Sequence, residues 1–146
     1  DESITEKKYS YVRFTFGDTI EDAWPAVAEF NVYRPKELTN FALDGEATAS
    51  TVSRDPANAI DGNDGTLWVG DGDSEKEGAW WMVDLGKAQQ IQAFDLVFEH
   101  EVLPTLEDAQ AATTPAYGQA WQYKVEGSND KSSWDMLWDN TANTDF

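Results

Sequence analysis

The chain contains no cysteine, which excludes disulfides, thiolate metal centres and a cysteine nucleophile. Histidine occurs once, at His100, and no Ser–His–Asp ordering stands out around it. No glycine-rich phosphate loop is present. Basic residues are few: Lys plus Arg number 10 against 28 Asp plus Glu, for a net charge of −18. A nucleic-acid ligand needs a positive footprint that displaces counter-ions, so this chain repels phosphate. Anionic membrane surfaces are disfavoured by the same repulsion. No apolar run approaches the roughly eighteen residues of a membrane span. Internal repeats and low-complexity tracts are also missing, and Arg34-Pro35-Lys36-Glu37 is the best candidate for a joint.

Apolar and aromatic residues are plentiful. Of 146 residues, 40% are hydrophobic and 13% aromatic, enough for one domain with its own core. Helical periodicity is scarce and period-two alternation is common. Val12, Phe14 and Phe16 share one face of a run from Tyr9 to Phe16. Phe30 and Val32 share another, and Trp81, Val83 and Leu85 alternate with Trp80, Met82 and Asp84. Phe94, Leu96 and Phe98 alternate with Asp95, Val97 and Glu99, and Tyr123 with Val125 opens a further strand. Turn residues separate these runs at Gly17-Asp18, Asp61-Gly62, Gly70-Asp71-Gly72 and Leu85-Gly86. Short strands at close spacing predict an all-β protein, an antiparallel β-sandwich. Two segments break the pattern: the Asn/Asp/Gly-rich stretch 53–68, and the polar stretch 100–116, within which Leu106 to Ala112 suits a short helix.

Several motifs coincide with one family. Ala59-Ile60-Asp61-Gly62 followed by Thr66-Leu67-Trp68, the strand Trp80-Trp81-Met82-Val83-Asp84-Leu85-Gly86, and Tyr123-Lys124-Val125-Glu126-Gly127-Ser128-Asn129-Asp130 with Trp134 resemble discoidin domains, also called coagulation factor 5/8 type C domains. Lys131 stands where the family usually has Gly. The resemblance implies a discoidin-like, galactose-binding-domain-like jelly roll, with Trp68, Trp80 and Trp134 in its core. It covers roughly residues 38–143.

Residues 1–35 match as well, but out of order. Tyr11-Val12-Arg13-Phe14-Thr15-Phe16 and Ala28-Glu29-Phe30-Asn31-Val32-Tyr33 resemble strands that usually end the fold. Circular permutation is one reading: a single module over 1–146 whose first 35 residues supply the closing strands. A cut across tandem domains is the other. The pieces sum to about one domain, which favours permutation. It predicts Asp1 near Phe146 and the first strand in one core with Trp80 and Trp134.

Asp61-Gly62-Asn63-Asp64-Gly65-Thr66 is not an EF-hand. Positions five, six and twelve of such a loop hold Gly65, Thr66 and Gly72 instead of an oxygen donor, Gly and Glu. The resemblance implies a different cation site, with ligands from this loop and from the closing strand. Carried over by position, these are Ala28, Glu29, Asn58, Asp61, Asn63 and Thr66. An all-oxygen set suits a structural Ca²⁺. A solvated turn is the alternative.

Trp24 sits between two strands, just ahead of Ala28-Glu29. It either stacks on a sugar or folds back as a lid on the core. Phe98-Glu99 and Ala116-Tyr117-Gly118 resemble the two halves of a binding-rim stretch, separated here by an insertion. Glu99, His100 and Tyr117 join Trp24 as glycan-binding candidates, because carboxylate and imidazole groups bind sugar hydroxyls as fixed acceptors and donors. The resemblance thus implies a non-catalytic carbohydrate-binding module, similar to family 32 modules. Its partner would be an oligo- or polysaccharide rather than nucleic acid or membrane. A monomeric part of a larger secreted bacterial glycoside hydrolase or surface lectin is the expected setting, extracellular or at the cell surface. A protein-binding adhesion domain is the alternative.

Overall fold

The computed structural model describes residues 7–17, 26–33, 39–70, 78–97 and 122–143. Trp24, Phe98, Glu99, His100, Tyr117, the segment Leu106 to Ala112 and both ends, Asp1 and Phe146, lie outside the described residues.

The alternating run at the start of the chain becomes β1 (Lys8–Phe16). It lies at the centre of a five-stranded antiparallel sheet, between β6 (Trp80–Gln90) and β8 (Tyr123–Ser128). β4 (Glu46–Ala49) and β9 (Asp135–Asp139) are the outer strands. Phe14 is paired with Trp81 on one side and Val125 on the other. Two smaller antiparallel pairs complete the architecture: β2 (Ala26–Val27) with β5 (Trp68–Val69), and β3 (Glu29–Tyr33) with β7 (Ala93–Val97).

Alternation decides what fills the core. Val12, Phe14, Phe16, Phe30, Val32, Trp68, Trp81, Val83 and Val125 are buried together. Phe30 meets Trp81 edge-on at 5.2 Å, and Phe16 stacks on Trp68 at 6.3 Å. These contacts join the five-stranded sheet to the smaller pairs, so the fold is an antiparallel β-sandwich. Each such side chain contributes about 1.5–3 kcal/mol by leaving water. A register shift between Tyr9 and Tyr11 turns Tyr9 inward over Gly127. A Cβ at Gly127 would lie 2.7 Å from the Tyr9 ring, so only glycine fits there.

Two core expectations are corrected. Trp81, not Trp80, is the buried tryptophan of β6, because successive strand residues face opposite sides. Trp134 is half-buried: the Arg13 guanidinium lies 3.8 Å from its ring centroid. Arg13 falls between the inward residues Val12 and Phe14, so it projects from the other side of the sheet. There it also donates to Glu126 Oε2 at 3.1 Å, and Lys124 approaches Glu126 Oε1 at 3.2 Å.

The stretch 53–68 contains a 3-10 turn, Pro56–Ile60, that is anchored at several points. Asp55 caps it by accepting the Ala57 amide at 2.9 Å, and Ala59 and Ile60 are buried. The indole N–H of Trp81 donates to the Pro56 carbonyl, and that of Trp68 to the Thr51 carbonyl, each at 3.0 Å. The loop that follows therefore leaves from a rigid base.

Candidate functional site

Asp61 ends the 3-10 turn, and Gly62 takes a φ of +78°, a conformation that costs glycine little. The chain then doubles back on Asp61. The backbone N–H of Asn63 donates to Asp61 Oδ1 at 2.8 Å and to Glu29 Oε1 at 2.9 Å. Thr66 Oγ1 lies 2.7 Å from both Asp61 Oδ2 and the Asn63 carbonyl oxygen. Asn63 Oδ1 accepts the Gly65 amide at 3.0 Å. Glu29, Asp61, Asn63 and Thr66 are thus brought together from β3 and from one loop. Ala28 precedes Glu29, and its amide is held by the Val97 carbonyl at 2.8 Å. Asn58 sits in the 3-10 turn with its side-chain amide on the Leu67 carbonyl at 3.1 Å.

Glu29 is buried, and its Oε2 has no hydrogen-bond partner. Burial pushes its carboxyl above the ordinary range, the neighbouring Asp61 carboxylate adds to this, and the Asn63 amide opposes it. Asp61 is exposed, and the Thr66 hydroxyl holds it below the ordinary range. Among the described residues, no ammonium or guanidinium pairs with either carboxylate, and no group of three or more His, Cys, Asp or Glu side chains assembles. Any cation here would rest on two carboxylates supplemented by neutral oxygens. The bare oxygen Oε2 fits that chemistry. A buried carboxylate atom without a partner is costly, and a cation offsets the cost.

A second arrangement concerns one end of the five-stranded sheet. The Gly17 amide donates to the Gln122 carbonyl at 2.7 Å, the Gly78 amide to the Phe16 carbonyl at 3.1 Å, and the Gln122 side chain to the Asn143 carbonyl at 3.0 Å. Gly17, Gly78 and Gln122, each at one border of segments 18–25, 71–77 and 98–121, therefore meet at this end. Phe16 stacking on Trp68 ties it to β2 and β5. At the same end, Trp138 on β9 is 50% exposed. Sequence reasoning passed over Trp138. Its only signal is a large ring between two aspartates, Asp135 and Asp139, on a strand that shows no clean alternation.

The model of one family matches residues 58–146: F5/F8 type C, NedA-like, galactose-binding domain. The chain belongs to this family. Neither the curated proteins nor the solved structures contain a significant match. The matched stretch includes the Asp61 loop, β6 and the β8–β9 hairpin, while β1 to β3 fall before it. Domains of this family are typically non-catalytic binding modules, of carbohydrate-binding or discoidin type.

Proposed function

We propose that this chain is a non-catalytic carbohydrate-binding module for neutral, galactose-type glycans, serving a larger secreted bacterial glycoside hydrolase or lectin. The match to a galactose-binding domain over residues 58–146 carries this reading. The sugar binds at the end of the sheet where Gly17, Gly78 and Gln122 meet. The segments that carry Trp24, Glu99, His100 and Tyr117 each have one border at that end, and we assign these four residues to stacking and hydroxyl recognition. The net charge of −18 supports neutral ligands over anionic ones. Strands β1, β2 and β3 complete the fold as permuted closing strands, which the central place of β1 supports.

A structural Ca²⁺ belongs to the same reading. Glu29, Asp61, Asn63 and Thr66, with Ala28 and Asn58 beside them, would hold it, and it would supply positive charge between two facing carboxylates. The partnerless Glu29 Oε2 supports this. The ion's role is to tie the loop to β3, not to act on substrate.

A broad glycan array on the full chain, with and without EDTA and repeated for Trp24→Ala, tests the proposal. Binding to galactose-bearing neutral glycans is expected at dissociation constants of about 10 µM to a few mM, or roughly 3–7 kcal/mol. A loss in Trp24→Ala marks stacking, and a loss in EDTA marks the cation as organiser. Capture of proteins or anionic vesicles with no glycan bound would contradict it.

A further inference from the structure

We infer that Trp138 is a second aromatic platform, extending the glycan site along the sheet edge so that it takes an oligosaccharide chain rather than one terminal sugar. This inference rests on the proposed function. Trp138 is half exposed on β9, the last strand of the five-stranded sheet. Its backbone is held in the β8–β9 ladder opposite Val125, two residues along β8 from Tyr123. The strand that carries it is ordered by this pairing, and half of the large aromatic ring faces water. A ring on an ordered strand loses less entropy when a ligand stacks on it.

Position and charge select the occupant. Antiparallel pairing sets Asp139 opposite Lys124 and Trp138 opposite Val125, near the start of β8. The Asn140 amide donates to the Tyr123 carbonyl at 2.8 Å, and Gln122 reaches Asn143. Trp138 is therefore continuous with the end where Gly17 and Gln122 meet. Asp135 and Asp139 bracket Met136 and Trp138, which are 52% and 50% exposed. A second copy docking edge to edge would bring aspartates against a chain already at −18, and an anionic ligand would be repelled. A neutral pyranose offers C–H surface to the ring and carries no charge for the acidic chain to repel.

Titration of the full chain with galactose and with a linear galactotetraose tests this, using wild type, Trp138→Ala and Trp138→Phe. Trp138→Ala is expected to weaken the tetraose by about tenfold, the equivalent of one stacking contact, and galactose by less than about twofold. Trp138→Phe should stay within about threefold for both. In wild type, the Trp138 indole N–H resonance, identified by its loss in Trp138→Phe, should shift with the tetraose and not with galactose. That readout stands even if Trp138→Ala fails to fold. Equal effects on both ligands, no effect on either, or an unmoved resonance would overturn the inference. So would dimerisation that Trp138→Ala abolishes. If wild type binds neither sugar, the proposed function falls, and this inference with it.

Discussion

The backbone amide of Asn63 donates to Glu29 Oε1 at 2.9 Å, joining the loop after the 3-10 turn to strand β3. The same amide reaches Asp61 Oδ1 at 2.8 Å, so one N–H serves two carboxylates. One donor cannot neutralise both, and Glu29 Oε2 is left without a partner.

Calcium should therefore stabilise the chain. At about 100 times its dissociation constant, a bound ligand contributes about 2.7 kcal/mol, a rise of roughly 5–12 °C in melting temperature for a domain of this size. Glu29→Gln should abolish the increment. The same variant should melt higher than wild type in EDTA at pH 7, because it removes a buried charge. Thermal melts with and without Ca²⁺ check both outcomes.

The pH dependence of the metal-free protein follows from two opposed shifts. Burial raises Glu29 above its ordinary value of 4.5, so the fold binds that proton more tightly than the unfolded chain does. Stability is then lost as pH rises from about 4.5 through the raised value, and is level above it. Asp130 behaves oppositely. The amides of Ser133 and Ser132 lower it from 3.8, so its contribution is complete above that value and disappears as pH falls through the lowered one. Melts in EDTA should pass through a maximum on the acid side of neutrality. Glu29→Gln should flatten the fall on the alkaline side and leave the acid limb in place.

How much of this was legible in the sequence depended on alternation. Val12, Phe14 and Phe16, and Phe30 with Val32, share faces by simple period-two spacing, and all of them are buried. Trp80 and Trp81 are adjacent, so alternation places them on opposite faces without saying which is inside. Only the pairing of Trp81 with Phe14 decides. β9 escaped notice because a register shift opposite Val125 and Glu126 interrupts its pattern and leaves Met136 and Trp138 exposed. The approach of Glu29 to Asp61 has no local signal. It was expected only through the family resemblance, and a backbone donor such as the Asn63 amide leaves no trace in residue type.

Gly127→Ala should destabilise by about 1–3 kcal/mol, since the added Cβ meets the Tyr9 ring at 2.7 Å. The cost should shrink in a Tyr9→Leu background, where the flat ring is gone. Urea titrations of the four chains in this cycle give the coupling.

Arg13 and Trp134 should be energetically coupled. With the guanidinium 3.8 Å from the ring centroid, a double-mutant cycle over Arg13→Ala and Trp134→Ala should return about 0.5–2 kcal/mol. A coupling near zero would mean that Trp134 contributes only apolar burial.

Lys131 has a φ of +59°, in the left-handed region, and its ammonium lies 4.7 Å from the Tyr11 ring centroid. Left-handed geometry costs a non-glycine residue about 1–2 kcal/mol, and an exposed cation–π contact returns about 0.5–1 kcal/mol. Lys131→Gly should therefore be neutral to stabilising by about 1 kcal/mol, and Tyr11→Leu should increase that gain. Denaturant midpoints report both values.

The most direct measurement is a calorimetric titration of the calcium-loaded chain with galactose and the galactose-bearing glycans that an array selects. Saturable heat from neutral sugars, weakened when Trp24 is truncated to alanine, is the predicted result. Silence toward every neutral glycan, alongside tight capture of a protein ligand, would contradict it.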